Sequence, residues 1–219
     1  MINPNDVNLI IFDLGGTIIN DSKADYEAVR RAFLKLGWKM PVSEADYLPY
    51  IVLPSDDFYR AITPPEYRAR WQEAREKVRQ EYYATFMEFS TLYPGAVKTL
   101  QALKNRGYRL ALYSRAISKI VVDVAGKLAL TDYFVYLKNS EDDSLDKYQL
   151  AGKIIDKFNA TAAIVGDSIQ DIEVARETNS LSIGVLYGYG GKEPEKADIT
   201  INRFEDLLDI FKRNNRGNE

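Results

Sequence analysis

The 219 residues include no cysteine and no histidine. Together these absences exclude disulfides, thiol nucleophiles, zinc sites with nitrogen or sulfur ligands, and every catalytic triad that uses an imidazole base. Chemistry in this chain must rest on carboxylates, lysine, hydroxyls or a hard metal ion. Nor is there an excess of positive charge: Lys plus Arg number 29 against 32 Asp plus Glu, a formal net charge of −3, so a nucleic acid partner is not expected. No uninterrupted apolar run approaches the ~18 residues of a membrane span, and Met1 to Asn8 lacks the basic and apolar stretches of a secretory signal. The expectation is a cytoplasmic protein without a membrane partner. With 46% hydrophobic and 28% charged residues and only 8 prolines, the composition is that of a globular chain, neither disordered nor collagenous. Its length suits one domain, or one domain with a sizeable insertion.

What is present is a repeated strand–helix pattern. Val7 to Phe12 is an apolar run ended by Asp13 and the pair Gly15-Gly16, which reads as a buried strand stopping at a polar turn. From about residue 93 strands and helices alternate. A helix carrying Ala96, Leu100 and Leu103 precedes a strand from Tyr108 to Tyr113, and Ile117 to Leu130 leads to Phe134-Val135-Tyr136-Leu137. A helix with Leu150, Ile154 and Phe158 on one face then leads to Ala162-Ala163-Ile164-Val165. Further segments are a helix around Ile172 to Glu177, strands near Ser182 to Leu186 and Ile199 to Ile201, and a last helix with Phe204, Leu207, Leu208 and Phe211. This alternation predicts an α/β fold with a parallel sheet and right-handed crossovers.

Residues 20–90 interrupt it with helical patterns and no convincing strand. Tyr26, Val29, Phe33 and Leu36 form a stripe stopped by Gly37, and Thr63-Pro64-Pro65-Glu66 reads as a capping box opening a long helix through Trp71, Val78 and Tyr82. The expected organisation is a core of residues 1–19 and 91–219 with an all-helical insertion of residues 20–90 after the first strand. Tyr93-Pro94-Gly95 would be the return hinge, and Asn214 to Glu219 a frayed tail. The insertion's aromatic residues, among them Tyr47, Phe58, Tyr59 and Tyr82, read as its own core.

Asp13 and Asp167 stand directly after buried strands, and Asp171 opens the helix that follows Asp167, where it could simply cap that helix. In a parallel sheet the carboxyl ends of the strands share one edge, so these carboxylates can meet there. Oxygen ligands alone suit Mg²⁺. Ser114, at the end of another strand, and Lys147, at the start of a helix, can reach the same edge.

Phe12-Asp13-Leu14-Gly15-Gly16-Thr17, Tyr113-Ser114, Lys147 and Val165-Gly166-Asp167-Ser168-Ile169-Gln170-Asp171 resemble, in order and spacing, the four motifs of the haloacid dehalogenase superfamily. Tyr93-Pro94-Gly95 and the Gly184 to Gly190 segment are similar to its phosphoglycolate-phosphatase-like branch. The resemblance implies a Rossmann-like core, a helical cap, and Mg²⁺-dependent phosphoryl transfer on a small phosphorylated metabolite by a monomer or homodimer. It assigns Asp13 as nucleophile and Lys147 as the cation that pairs with Asp13 and the phosphoryl group. Ser114 and Gly16 would bind substrate, and Arg115, where the residues alone leave the choice open, would either bind a substrate anion or face solvent. Asp13, the Gly15 carbonyl, Asp167 and Asp171 would form the metal site, Asp171 through water or by orienting the cluster.

Three positions depart from the family pattern. Gly15 replaces the second aspartate that serves as general acid and base, Arg115 replaces a common asparagine, and Tyr148 replaces the proline after the lysine, leaving Lys138 and Lys153 as alternatives to Lys147. Loss of proton transfer costs about 10²- to 10⁴-fold in rate, so the expected substrates carry good leaving groups. Two alternatives stand beside the phosphatase. One is a dehalogenase- or phosphonatase-like hydrolase, the latter needing a Schiff-base lysine such as Lys23, Lys35 or Lys39. The other is a catalytically silent binding protein.

Overall fold

A computed structural model describes residues 2–53 and 55–213; the proposed tail from Asn214 lies outside them. By chain packing the protein divides into two compact units, Met1–Ile19 with Leu92–Glu219, and Asn20–Thr91.

The larger unit is built on a parallel sheet. Its strands are β1 (Leu9–Phe12), β4 (Arg109–Leu112), β5 (Tyr136–Leu137), β6 (Ala162–Gly166), β7 (Leu181–Val185) and β8 (Ile199–Ile201), and its helices are α5 (Ala96–Asn105), α6 (Ser118–Lys127), α7 (Lys147–Phe158), α8 (Ile169–Glu177) and α9 (Leu207–Ile210). The strands lie in the order β5-β4-β1-β6-β7-β8. Every residue of β1, β6 and β7 is buried, as expected of strands covered on both faces, and this is why they read as continuous apolar runs. Leu9 and Ile11 face a cluster with Leu150 and Ile154 of α7 and Val174 and Ala175 of α8. Phe12 packs on the Phe204 ring, with centroids 5.7 Å apart.

The register aligns Phe12 with Leu112 of β4 and with Val165 of β6, so Asp13, Tyr113 and Gly166 follow at one level of one edge. The chain fills one side of β1 through β4 and β5 before crossing to β6, which makes this edge the point where the strand order reverses.

In the smaller unit are α1 (Ser22–Leu36), α2 (Leu48–Ile51), α3 (Ser55–Ile62) and α4 (Trp71–Phe89). The Val29 and Phe33 stripe of α1 is buried with Trp38, Tyr47, Phe58, Tyr59, Ile62 and Val78. Gly37 ends α1 in the left-handed region at φ 71°, which a Cβ disfavours, and its N–H returns to the last turn.

The structure corrects the element reading in four places. The long helix begins at Trp71, not directly after Thr63, because Pro65–Arg70 forms a 3-10 segment. Thr63 does not cap it: its buried hydroxyl donates back to the Tyr59 carbonyl at 2.6 Å. The strand expected over Phe134–Leu137 shrinks to its last two residues, with Val135 half exposed. Two short strands at either end of the insertion, β2 (Ile19–Asn20) and β3 (Thr91–Leu92), pair with one another, although two residues are too few to leave a period.

Candidate active site

Each candidate carboxylate is placed by a strand end or by a helix start. Asp13 leaves β1 with its N–H on the Val165 carbonyl at 2.9 Å. Asp167 follows β6. Asp171 is the third residue of α8, where it forms a capping box with Ser168, so the capping role and a role in the cluster belong to the same side chain. All three are buried, and one carboxylate oxygen from each lies within 4.8 Å of the others.

Lys147 stands among them. As the first residue of α7, behind an Asp146–Gln149 capping box, it reaches inward and is 4% exposed. Its Nζ lies 3.1 Å from Asp13 Oδ2 and 2.7 Å from Asp171 Oδ1. Both alternative lysines are held elsewhere. Lys138 Nζ donates to the carbonyls of Ser114 at 3.2 Å and Ala116 at 2.7 Å, and Lys153 Nζ donates to Asp142 at 2.5 Å. Tyr148, in place of proline, donates its hydroxyl to Glu173 at 3.1 Å.

Burial and mutual repulsion dominate the electrostatics. Burial raises the Asp13 carboxyl above its ordinary value; Lys147 opposes this and Asp171 adds to it. Asp167 is pushed up to about 8 by burial and by the charges of Asp13 and Asp171. Burial also works against ionised Asp171, but the Lys147 ammonium and the Ser168 and Tyr113 hydroxyls outweigh it and hold Asp171 below the usual carboxylate range. Lys147 is likewise disfavoured by burial, yet Asp13 and Asp171 keep it above the ordinary lysine value. Among the described residues, three carboxylates thus share the Lys147 ammonium, and burial with the charges of Asp13 and Asp171 weighs on Asp167. Hard oxygen donors short of a cation fit Mg²⁺, which binds through one or two carboxylates together with water and phosphate.

Glycines let the backbone close around Asp167. Gly16 adopts φ +69°, and a Cβ there would run into the Asp167 carboxylate. At Gly188 a Cβ would meet Asp167 and the Gly16 carbonyl, and at Gly190 it would strike the Asp167 carbonyl. This approach brings the Tyr189 N–H to Asp167 Oδ2 at 2.7 Å.

Ser114 sits just past β4, half-buried, its Oγ accepting from the Ala116 N–H at 3.1 Å. Arg115 is exposed, and its charge is felt at Lys147. Gly15 bridges to Ile19. The structure therefore brings Asp13, Lys147, Asp167, Asp171 and Gly16 into one cluster, while Ser114 and Arg115 lie on the adjoining loop. The sequence reading missed a role for the Tyr113 hydroxyl, which donates to Asp171 Oδ1 at 2.5 Å. No local signal marks it, because the two residues stand 58 positions apart in the chain.

The comparisons with known proteins agree with this architecture. The chain is 30% identical over 220 residues to a phosphoglycolate phosphatase of Vibrio vulnificus, covering 94% of this chain and 96% of the relative. It is 26% identical to a phosphoglycolate phosphatase of Aquifex aeolicus, covering 94% and 97%. A haloacid dehalogenase-like family hydrolase from Streptococcus pneumoniae superposes with a TM-score of 0.82 at 21% identity, over 94% of this chain and 99% of that one, which shows a shared fold. The sequence profile of the haloacid dehalogenase-like hydrolases matches residues 10–185, and with the four motifs at one sheet edge the chain belongs to that family.

Proposed function

We propose that this hydrolase is a Mg²⁺-dependent phosphatase acting on a small phosphorylated metabolite through a phosphoryl group carried on Asp13. The observation that carries the reading is the Lys147 ammonium held between Asp13 and Asp171, beside a carboxylate cluster short of a cation. The activity named for the Vibrio and Aquifex relatives supports it.

An oxygen of Asp13 attacks phosphorus, the bond from phosphorus to the leaving oxygen breaks, and the electron pair departs on that oxygen. Water then attacks phosphorus, the bond to Asp13 breaks, and the proton lost by water passes to solvent. Lys147 offsets charge that gathers on the phosphoryl oxygens in both displacements. Ser114 and the exposed Arg115 are the substrate-binding groups on the adjoining loop. Asp13, Asp167 and the Gly15 carbonyl would hold Mg²⁺, which would neutralise phosphoryl charge and favour ionised Asp13.

Gly15 offers no proton to the leaving oxygen, so acyl, aryl or anomeric phosphates should turn over faster than simple alkyl esters, and the phosphoenzyme should persist. Against the phosphonatase reading, Lys23, Lys35 and Lys39 are all exposed, and Lys35 is ion-paired with Glu81 at 2.5 Å. A Schiff-base lysine draws its reactivity from desolvation or a neighbouring cation.

The test is phosphate release from acetyl phosphate, p-nitrophenyl phosphate and phosphoglycolate, with Mg²⁺ or with EDTA. Asp13→Asn serves as the control. Release that requires both Mg²⁺ and Asp13, ranked by leaving group, is the expected result. Equal rates on all three substrates would overturn the leaving-group argument, and no release from any would overturn the phosphatase.

A further inference from the structure

Asp171 is surrounded more completely than its neighbours. Its Oδ2 accepts from the Ser168 N–H at 3.1 Å and the Ser168 hydroxyl at 2.6 Å. Its Oδ1 accepts from Lys147 Nζ at 2.7 Å and from the Tyr113 hydroxyl at 2.5 Å. An ionised carboxylate has about four acceptor sites, and these four donors fill them. Among the described residues, neither Asp13 nor Asp167 has four donors in this way. The hydroxyl comes from a residue that is 0% exposed, fixed by its N–H on the Phe12 carbonyl at 3.0 Å. The Tyr113 ring also lies beneath Lys147, with Nζ 4.7 Å from its centroid, so one side chain steadies both members of the Lys147–Asp171 pair.

We propose that Tyr113 is a positioning residue: its hydroxyl fills the last acceptor site of Asp171 and its ring lies beneath Lys147, and so it keeps Asp171, already expected to orient the cluster, as the counter-anion of Lys147 and off the metal. This rests on the reading of the site as a Mg²⁺-dependent phosphatase. Without the hydroxyl, Oδ1 has an unfilled site on the side that faces Lys147 and Asp13, while Ser168 still fixes Oδ2. The freed oxygen is a better donor to a dication and a stronger competitor for the lysine.

Two quantities should therefore move in opposite directions in Tyr113→Phe. Mg²⁺ binding, measured by calorimetry on the unliganded protein, should tighten about threefold or more, while kcat falls about 10- to 100-fold, the usual cost of removing an outer-shell partner, with KM within twofold. A residue that only supports the fold would weaken both or change neither, and either result overturns the proposal. A measurement on the unsubstituted protein covers the case in which Tyr113→Phe does not fold. With ¹³C-labelled aspartate side chains, assigned through Asp13→Asn, Asp167→Asn and Asp171→Asn, Mg²⁺ should shift the Asp13 and Asp167 carboxylate signals and leave the Asp171 signal in place. A shift at Asp171 as large as the other two, or no Mg²⁺ binding at all, overturns the assignment. If the unsubstituted protein binds Mg²⁺ but turns over no phosphate ester, the phosphatase reading fails alone, and the calorimetric and carboxylate signals still decide the role of Tyr113.

Discussion

Gly15 and Gly16 are adjacent and alike in composition, yet the structure separates them completely. Gly16 has the left-handed backbone and the close approach to Asp167; Gly15 is not among the residues with positive φ. Gly16→Ala should cost roughly 1–2 kcal/mol for the left-handed conformation alone and, with its Cβ against the Asp167 carboxylate, lower Mg²⁺ affinity at least about tenfold; a denaturant melt and a metal titration measure the two effects. Gly15→Asp should be tolerated and should raise turnover of phosphoglycolate, by up to about 10²–10⁴-fold if the proton donor is restored in full. No gain on alkyl phosphates, with the protein folded, would mean that proton transfer does not limit this site.

The elements hold the candidate site residues through polar contacts at their ends. The loop between β4 and α6, which carries Ser114 and Arg115, is tied down by Lys138 through the Ser114 and Ala116 carbonyls and by Asp143, which accepts from the Ser118 N–H at 2.7 Å. Ahead of α7, the fully buried Asp142 accepts from Lys153 Nζ at 2.5 Å, the Tyr136 hydroxyl at 2.8 Å and the Asn139 N–H at 2.9 Å. Burial opposes its ionisation, but these donors outweigh it and hold its carboxyl below the ordinary value. Because the folded value is the lower one, the stabilisation is complete above the unfolded value of ~3.9 and is lost as pH falls through the folded value. Asp142→Asn should therefore cost about 1–3 kcal/mol at pH 7, with the difference from the unsubstituted protein shrinking as melts are repeated at lower pH.

At the scale of the whole molecule the sheet stores repulsion at one edge. The carboxyl of Asp167 is raised by burial first and by Asp13 and Asp171 next, a cost that a bound cation would remove. Saturating Mg²⁺ should raise the melting temperature, since a ligand at 100 times its Kd adds about 2.7 kcal/mol. Asp167→Asn should abolish that rise and yet melt higher than the unsubstituted protein when both are metal-free. Thermal scans with EDTA and with Mg²⁺ test both halves of the prediction. None of the described helices is long and apolar enough to cross a membrane.

The sequence by itself determined the α/β alternation, because strands covered on both faces must be apolar throughout and helices covered on one face must repeat every three to four residues. It also determined the position of Asp13 and Asp167, since a carboxylate ending a buried apolar run has only the strand's carboxyl edge to occupy. It left open which lysine faces those carboxylates: Lys138, Lys147 and Lys153 are alike in residue type, and only the packed chain shows two of them held by Ser114, Ala116 and Asp142 while Lys147 alone of the three reaches Asp13. It misplaced the start of the long helix, because the capping pattern at Thr63 records local spacing whereas a buried hydroxyl takes whichever carbonyl the fold presents, here that of Tyr59. The hydroxyl of Tyr113 on Asp171 was beyond it for the same reason: the two residues stand 58 positions apart in the chain, and only the parallel register of β4, β1 and β6 brings them within a hydrogen bond.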